Sequence, residues 1–329
     1  VLRDNYEQNI LLGNARVQSY SMLPVHQRFI RSLEARGELD RSLEFLPSDS
    51  EIDARRSAGE GLSSPEFAVL VAYSKITLTD DLLETPIADE PFFGRVLREY
   101  FPQPIVDRAG GLLDTHPLRR QIITTVVVND MVNRGGITFA YRAGDETGAG
   151  PVEVTRAYSV AREVFDLPSF WRRVEALDNQ VPTAAQCALF LESRRLLDRA
   201  TRWVLTARGG TVDVEAEVER FRDTIARLAP QVPDLLVGIE QDRLEARTAE
   251  LVALGAPEDL ARESGALLDA VGVLDIVEVA QATGADAEDV AALYFILSER
   301  YEVDRMLTRI TGLPRDDRWS ALARAALRS

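Results

Sequence analysis

Residues 183–208 read TAAQCALFLESRRLLDRATRWVLTAR, and this stretch decides the fold class. Its apolar side chains recur every three or four positions, which is the spacing of one face of a helix. That face consists of Leu189, Leu196, Ala200, Trp203, Val204 and Ala207. Gly209 and Gly210 follow as a stop signal, because glycine readily adopts the left-handed conformation that ends a helix. The stretch therefore predicts one long helix.

The same pattern fills most of the chain. Residues 63–66 read SSPE, which combines a serine cap, a proline in the first turn and a glutamate that can reach back to the cap. Further amphipathic stretches, each bounded by Gly, Pro or an acidic cap, run from residue 89 to the last of them, DRWSALARAALR at 317–328. We predict an all-α protein, either one large multi-helix domain or two packed helical subdomains, with little or no sheet.

Residues 116–141 form the most ambiguous segment, HPLRRQIITTVVVNDMVNRGGITFAY. Its Ile, Thr and Val run favours strands, and a hairpin through NRGG is conceivable. However, Leu118, Ile122 and Val126 follow helical spacing, and a pair of glycines at 135–136 provides a stop. A helix is the favoured interpretation.

Polar residues form a row on this predicted helix. Thr125, Asn129 and Asn133 recur at intervals of four, and Arg119 and Arg120 stand at the start of the same helix. The row is either exposed or hydrogen-bonded for structural reasons, or it is a seam that contacts a neighbouring domain. We take these five residues as a candidate interdomain contact.

Turn-forming residues indicate where the chain divides. Residues 142–151, RAGDETGAGP, predict a loop between a helical subdomain at 21–141 and a C-terminal helical subdomain at 152–329. Residues 39–61 contain few candidate core residues and can wrap over another domain. Residues 1–20 predict a separate helix.

Charge and cysteine content exclude several classes of protein. The chain has 53 acidic and 38 basic residues, a net charge of −15. This charge opposes binding to nucleic-acid phosphates or to anionic membranes, and no apolar run approaches the roughly 20 residues that span a bilayer. A single cysteine permits no internal disulfide, which favours a reducing, cytoplasmic location.

Most of the usual catalytic motifs are missing from the sequence. Neither GxGxxG after a strand nor GxxxxGK[ST] occurs, so no nucleotide cradle is predicted. His26 and His116 stand alone and favour no metal site or catalytic triad. Cys187 lies in an apolar helical setting and is predicted to be core, whereas Lys75, the only lysine, is predicted to have a surface or snorkelling role.

One acidic motif has the spacing of a metal-binding site. Asp80, Asp81 and Glu84 are spaced so that they can hold Mg²⁺ for a diphosphate substrate, as in all-helical prenyl-transfer enzymes. No second acidic motif accompanies them. The simpler interpretation is a helix N-terminus at Thr79, where caps and the helix dipole favour negative charge.

Six blocks of sequence carry a resemblance to a known family. In chain order they are VLRDNYEQN at 1–9, HQRFIRSLEARGELDR at 26–41, GEGLSSPEFAVLVAYSK at 59–75, HPLRRQIITTVVVNDMVNRGGITF at 116–139, RAYSVAREVFDLPSFWRRVEALDN at 156–179 and LLDRATRWVL at 196–205. Together they resemble the C-terminal region of the large bacterial NAD-dependent glutamate dehydrogenases. The resemblance covers about residues 1–205, and later residues offer no sharp motif.

The resemblance implies an enzyme that interconverts glutamate with 2-oxoglutarate and ammonia using NAD. It implies that the catalytic residues and the NAD site lie upstream of Val1, so that this chain contributes no catalytic, cofactor-binding or metal-binding residue. Residues 1–20 are then the helix that leaves the upstream catalytic domain, and the whole enzyme is expected to be a homo-oligomer. The chain also lacks an initiator methionine, as expected for a piece of a longer polypeptide. A free-standing helical interaction module is the alternative, and a prenyl-transfer enzyme is the third possibility.

Overall fold

The computed structural model describes residues 2–209, 212–303 and 306. These residues form α-helices joined by turns and short 3-10 helices, and no strand occurs among them. The predicted all-α class is therefore confirmed. Within the same ranges no helix is both long enough and apolar enough to cross a bilayer. Gly210 and the predicted helix at 317–328 lie outside the described residues.

The α-helices, in chain order, are α1 (Leu2–Val17), α2 (Ser19–Ala35), α3 (Asp49–Ser57), α4 (Ser64–Leu83), α5 (Pro91–Tyr100), α6 (Gln103–Ala109), α7 (Arg119–Gly135), α8 (Phe139–Thr147), α9 (Pro151–Val164), α10 (Leu167–Glu175), α11 (Thr183–Arg208), α12 (Val214–Leu228), α13 (Val232–Leu235), α14 (Ile239–Ala253), α15 (Glu258–Ala266), α16 (Val273–Thr283) and α17 (Ala287–Arg300). Short 3-10 helices occupy Ile87–Asp89, Gly110–Thr115, Ala229–Gln231 and Asp269–Gly272. The chain forms two compact units, Val1–Thr155 and Arg156–Ser329, which we call the first and second units.

Helix α7 is the centre of the first unit. It packs against α1, α4, α5 and α8, and it buries Ile123, Val128 and Met131 at helical spacing. The helical interpretation of this ambiguous segment is therefore correct. Gly135 ends the helix where space is tight, because a Cβ atom there would lie 2.6 Å from the Phe139 ring.

The segment between α2 and α4 contributes a few residues to the core of the first unit. Leu39, Leu46 and Ile52 are buried, and α3 begins where Ser48 and Glu51 cap each other. Leu43 and Phe45, in contrast, are 73% and 90% exposed, so residues 39–61 contain few core residues, as predicted.

Asp49, the first residue of α3, ties the same segment to its neighbours. Its carboxylate accepts hydrogen bonds from Arg41 at 3.0 Å, from Gln27 at 3.1 Å and from Arg31 at 3.1 Å. Partial burial opposes ionisation of Asp49, but these three donors outweigh it and lower the pKa of Asp49 from 3.8 to about 2.

The predicted loop at 142–151 is mostly helical. Helix α8 continues to Thr147, and α9 begins at Pro151, so the turn between them spans only residues 148–150. Arg142 and Ala143 lie on the buried side of α8, and that packing outweighs the turn-forming composition. The division between the two units lies a few residues later, between Thr155 and Arg156.

Helix α11 is the longest element of the second unit among the described residues. It runs over the whole predicted stretch and ends at Gly209, whose φ of 57° is left-handed as predicted. Leu189, Leu196, Ala200 and Val204 are buried against neighbours that include α10 and α15. Two residues of the predicted apolar face are not in the core: Trp203 is half-buried and Ala207 is exposed.

Candidate functional site

A buried polar contact joins α1 to α7 in the first unit. Glu7, Ile10, Leu11 and Asn14 are buried at helical spacing on α1, and this side of the helix packs against α4 and α7. The Glu7 side chain consequently points into the core, where a carboxylate requires partners.

Two consecutive residues at the end of α7 supply those partners. Arg134 Nη2 donates to Glu7 Oε1 at 2.6 Å, and Asn133 Nδ2 donates to Glu7 Oε2 at 3.1 Å. The side chains of Arg134 and Glu7 are only 3% and 7% exposed. We call Glu7, Asn133 and Arg134 the Glu7 cluster. Because burying one of these charges alone is costly, the cluster fixes how α1 lies on α7.

The polar row that was predicted as an interdomain contact reaches three different environments. Thr125 is exposed, Asn129 is half-buried and Asn133 is buried in the Glu7 cluster. Asn133 thus bonds a residue of α1, the helix that the resemblance assigns to the exit from the catalytic domain. No sequence pattern indicates that Glu7 and Arg134, which lie 127 positions apart, form a contact.

The two arginines at the start of α7 bind within the first unit. Arg119 Nη1 donates to Asp89 Oδ1 at 2.7 Å. Arg120 Nη2 donates to the carbonyl oxygens of Leu83, at 3.0 Å, and of Thr85. These contacts join α7 to the end of α4 and the segment that follows it. Arg119 and Arg120 thus have a structural role within their own unit, which leaves their predicted role in an interdomain contact untested.

The acidic motif lies at the C-terminal end of a helix, whereas a helix N-terminus was predicted there. Asp80 and Asp81 belong to the last turn of α4, and Glu84 is its C-terminal cap, so the interpretation as a helix N-terminus at Thr79 is wrong. The helix begins much earlier, at Ser64, where Glu66 accepts a 2.6 Å hydrogen bond from the Ser63 backbone.

Asp81 already has a cationic partner. Arg36 binds it with both terminal nitrogens, at 3.1 and 2.6 Å. Across residues 2–209, 212–303 and 306, no three His, Cys, Asp or Glu side chains come together in a way that could hold a metal ion. The geometry therefore offers no support for magnesium-dependent chemistry at Asp80, Asp81 and Glu84.

The other singled-out residues have ordinary surroundings. His26 is buried with its ring 5.3 Å from that of Phe67 in an edge contact, and His116 packs 5.7 Å from Phe101. Lys75 is half-buried on α4. Cys187 is also half-buried, so its predicted place in the core is wrong. The preceding residue of α11, Gln186, has the buried side chain at this point of the helix.

The second unit contains a buried acidic group that sequence reasoning missed. Trp203 Nε1 donates to Asp275 Oδ1 at 2.7 Å, and Ser298 Oγ donates to Glu240 Oε1 at 2.7 Å. Tyr294 on α17 forms a hydrogen bond with Asp275, and the charges of Asp275, Glu240 and Asp269 act on its hydroxyl group. We call Glu240, Asp269, Asp275 and Tyr294 the Tyr294 cluster.

Burial changes the proton affinity of this cluster. Loss of solvent raises the pKa of Glu240, Asp269 and Asp275, although nearby arginines partly oppose it. Burial, and then the charge of Asp275, raises the pKa of Tyr294 to about 12. Gly272 leaves room for the Tyr294 ring, since a Cβ atom there would lie 2.8 Å from it. Perturbed acids of this kind occur both in catalytic sites and in structural networks.

Comparisons with known proteins place the chain in a family. The model of the family described as "Glutamate dehydrogenase, C-terminal" matches residues 59–329. An NAD-specific glutamate dehydrogenase of Mycobacterium tuberculosis is 40% identical over 328 residues, that of Pseudomonas aeruginosa 39% and that of Halomonas elongata 37%. Each alignment covers 100% of this chain but 20% of the relative, so the chain spans about a fifth of their length. Because the family model covers well over half of the chain, the chain belongs to the glutamate dehydrogenase C-terminal family.

Proposed function

We propose that this chain is the non-catalytic, helical C-terminal region of an NAD-dependent glutamate dehydrogenase. In the whole enzyme, glutamate, NAD and water are converted to 2-oxoglutarate, ammonia and NADH by residues upstream of this chain. The helical region supports that catalytic core, the assembly of subunits or their regulation. We further propose that the enzyme is cytoplasmic and homo-oligomeric.

The Glu7 cluster is the observation that carries the proposal. Hydride transfer requires the nicotinamide and the substrate carbon to be held in one reactive geometry, and small displacements of supporting elements slow it strongly. A helix that connects the catalytic domain to the rest of the chain must therefore be fixed in place. The buried Glu7–Arg134 ion pair, supported by Asn133, provides such a fixed point for α1.

The chemistry of the chain supports a non-catalytic role. The sequence contains no glycine-rich nucleotide loop and only one lysine. Its charge of −15 disfavours both the dinucleotide and a dicarboxylate substrate. The NAD site of the whole enzyme is accordingly assigned to the upstream region.

A pair of alanine variants in the whole enzyme tests the supporting role. Asn133→Ala removes one donor to Glu7 without unpairing a charge, and Gln121→Ala is the matched control because it lies exposed on the same helix. We expect Asn133→Ala to lower kcat about tenfold or to change the oligomer size while the circular dichroism spectrum is retained. The control should behave as wild type. Unchanged kinetics and assembly in Asn133→Ala would remove the proposed role of this contact.

The 329-residue chain alone tests the non-catalytic assignment. Purified chain is mixed with NAD and glutamate, and the absorbance of the reduced cofactor is followed. We expect no turnover, whereas the whole enzyme is active. Saturable turnover that scales with the amount of chain and survives repurification would place the active site within these residues.

A further inference from the structure

The first unit contains a cavity of about 220 Å³ between α2, α4, α8 and the start of α9, which we call the α8 cavity. Its floor is apolar, because Phe29, Leu33, Leu78 and Val154 line it and are each at most 6% exposed. Sites for drug-sized ligands measure roughly 300–1,000 Å³, so the α8 cavity can take only a smaller molecule.

Two aromatic rings form one wall of the α8 cavity. The ring of Tyr141 on α8 lies 5.4 Å from that of Phe29 on α2, tilted by 45°. An aromatic ring packs well against hydrocarbon, and it also attracts a cation that lies over its face within about 6 Å of its centre. This wall therefore suits both an alkyl chain and a positively charged group.

Two buried hydroxyl groups in the α8 cavity are left as hydrogen-bond acceptors. Ser74 Oγ donates to the Ile137 carbonyl oxygen at 2.8 Å, and Thr77 Oγ1 donates to the Tyr73 carbonyl oxygen at 2.9 Å. A hydroxyl group has only one proton to donate, so each oxygen keeps only lone pairs for a ligand. These lone pairs match an N–H donor and disfavour an anion.

The charged residues at the mouth of the cavity have a negative balance. The Arg36 guanidinium binds two carboxylates, that of Asp81 at 2.6 and 3.1 Å and that of Glu38 at 2.6 Å. Asp145 on α8 adds a further carboxylate, which lines the cavity and is exposed. Because a cleft rimmed by an excess of one charge concentrates ions of the opposite sign, the mouth favours a cation.

The charge of Asp145 reaches the aromatic wall. Burial, and then the charge of Asp145, raise the pKa of Tyr141, while Arg28, which bonds the Tyr141 hydroxyl, opposes them. Asp145 is thus close enough to Tyr141 to act on a charged group that lies against this ring.

We propose that the α8 cavity binds a small organic ammonium ion that carries a short aliphatic chain. The ammonium group pairs with Asp145 and donates to the hydroxyl oxygens of Ser74 and Thr77. The aliphatic chain covers the apolar floor beside Phe29 and Leu33. This site is independent of the proposed support of a catalytic core, because it does not involve the contact between α1 and α7.

A titration of the 329-residue chain with n-butylammonium, followed by saturation-transfer difference NMR, tests the proposal. We expect saturable binding with a Kd of about 1 mM, since so small a ligand makes few contacts. The matched probes 1-butanol and butyrate should bind about tenfold more weakly, because neither supplies the positive charge that pairs with Asp145. Equal binding of either probe, or no saturation by n-butylammonium, would overturn the proposal.

Three variants locate the binding. Asp145→Asn removes the carboxylate from the mouth, Ala140→Leu fills the cavity from α8, and Glu99→Gln is the matched control because Glu99 is an exposed acid on α5 outside the cavity. We expect Asp145→Asn to raise the Kd about tenfold and Ala140→Leu to abolish binding, with circular dichroism retained. The control should bind as the parent does. Unchanged binding in Asp145→Asn, or in a folded Ala140→Leu protein, would show that the ammonium ion binds elsewhere.

Discussion

Glu7→Gln should destabilise the first unit far more than an ordinary loss of an ion pair. The substitution preserves the size of the side chain but removes the negative charge of Glu7 from beside the Arg134 guanidinium, which is 3% exposed. Breaking a buried pair in this way costs about 3–5 kcal/mol. Such a loss is a large part of the roughly 5–15 kcal/mol that stabilises a typical domain.

The matched control is Asp114→Asn, which removes the charge from an exposed pair in the same unit. Arg98 and Asp114 are 54% and 50% exposed and lie 2.9 Å apart, so this change should cost at most about 1 kcal/mol. Combining Glu7→Gln with Arg134→Met should restore much of the lost stability, because both charges of this buried pair are then removed together.

Urea unfolding followed by circular dichroism measures these free energies. All three tryptophans of the chain lie beyond residue 155, so tryptophan fluorescence reports separately on the second unit. We expect the dichroism transition of the first unit to move to lower urea in Glu7→Gln with an unchanged slope. A cost no greater than that of Asp114→Asn, or a double variant weaker than Glu7→Gln, would refute the reasoning about the buried charge.

Three further changes have defined outcomes. Asp49→Asn should destabilise the protein at pH 7. Because ionised Asp49 contributes stability only above its lowered pKa, the difference in Tm between this variant and wild type should shrink as the pH falls from about 4 to 2. Glu240→Gln should be more stable than wild type at pH 7, because the pKa of Glu240 is raised and wild type therefore loses stability as the pH rises. The difference in Tm between the two proteins should shrink towards pH 4, and a constant difference would contradict this. Gly135→Ala should cost about 1–3 kcal/mol in urea unfolding through its clash with Phe139, whereas Gly94→Ala, a helical position with nothing within 4 Å, should be neutral or stabilising by up to about 1 kcal/mol.

Helix caps and apolar spacing predict much of this fold. The SSPE sequence starts α4 where expected, and Gly209 ends α11 in the expected conformation. α7 is a helix as predicted, but its predicted apolar side is not the buried one: Leu118 is 54% exposed and Ile122 is half-buried. Ile123 and Val128 are buried instead, because neighbouring helices cover several sides of α7. Spacing is informative wherever a helix has one clear buried side.

Local composition predicts helix boundaries less well where tertiary packing determines them. The glycines of 142–151 suggest a loop, but Arg142 and Ala143 pack inward and α8 continues to Thr147. Asp80 and Asp81 suit a helix start by charge alone, yet they lie at a helix end, where Arg36 neutralises Asp81. The partner of Asp81 lies 45 positions away in sequence, so local composition does not contain this contact.

The polar row on α7 shows why the candidate site could be located only in part. An interval of four residues advances 400° around a helix, so each member of the row is rotated about 40° from the last. Thr125 and Asn133 therefore point about 80° apart, and the end of α7 that carries Asn133 and Arg134 meets Glu7 on α1. A repeated polar spacing identifies the side of the helix on which a contact can form, but which member is buried depends on where a second helix crosses. That crossing depends on the packing of α1 against α7, and an isolated glutamate in a helical sequence looks the same whether it faces solvent or a buried arginine.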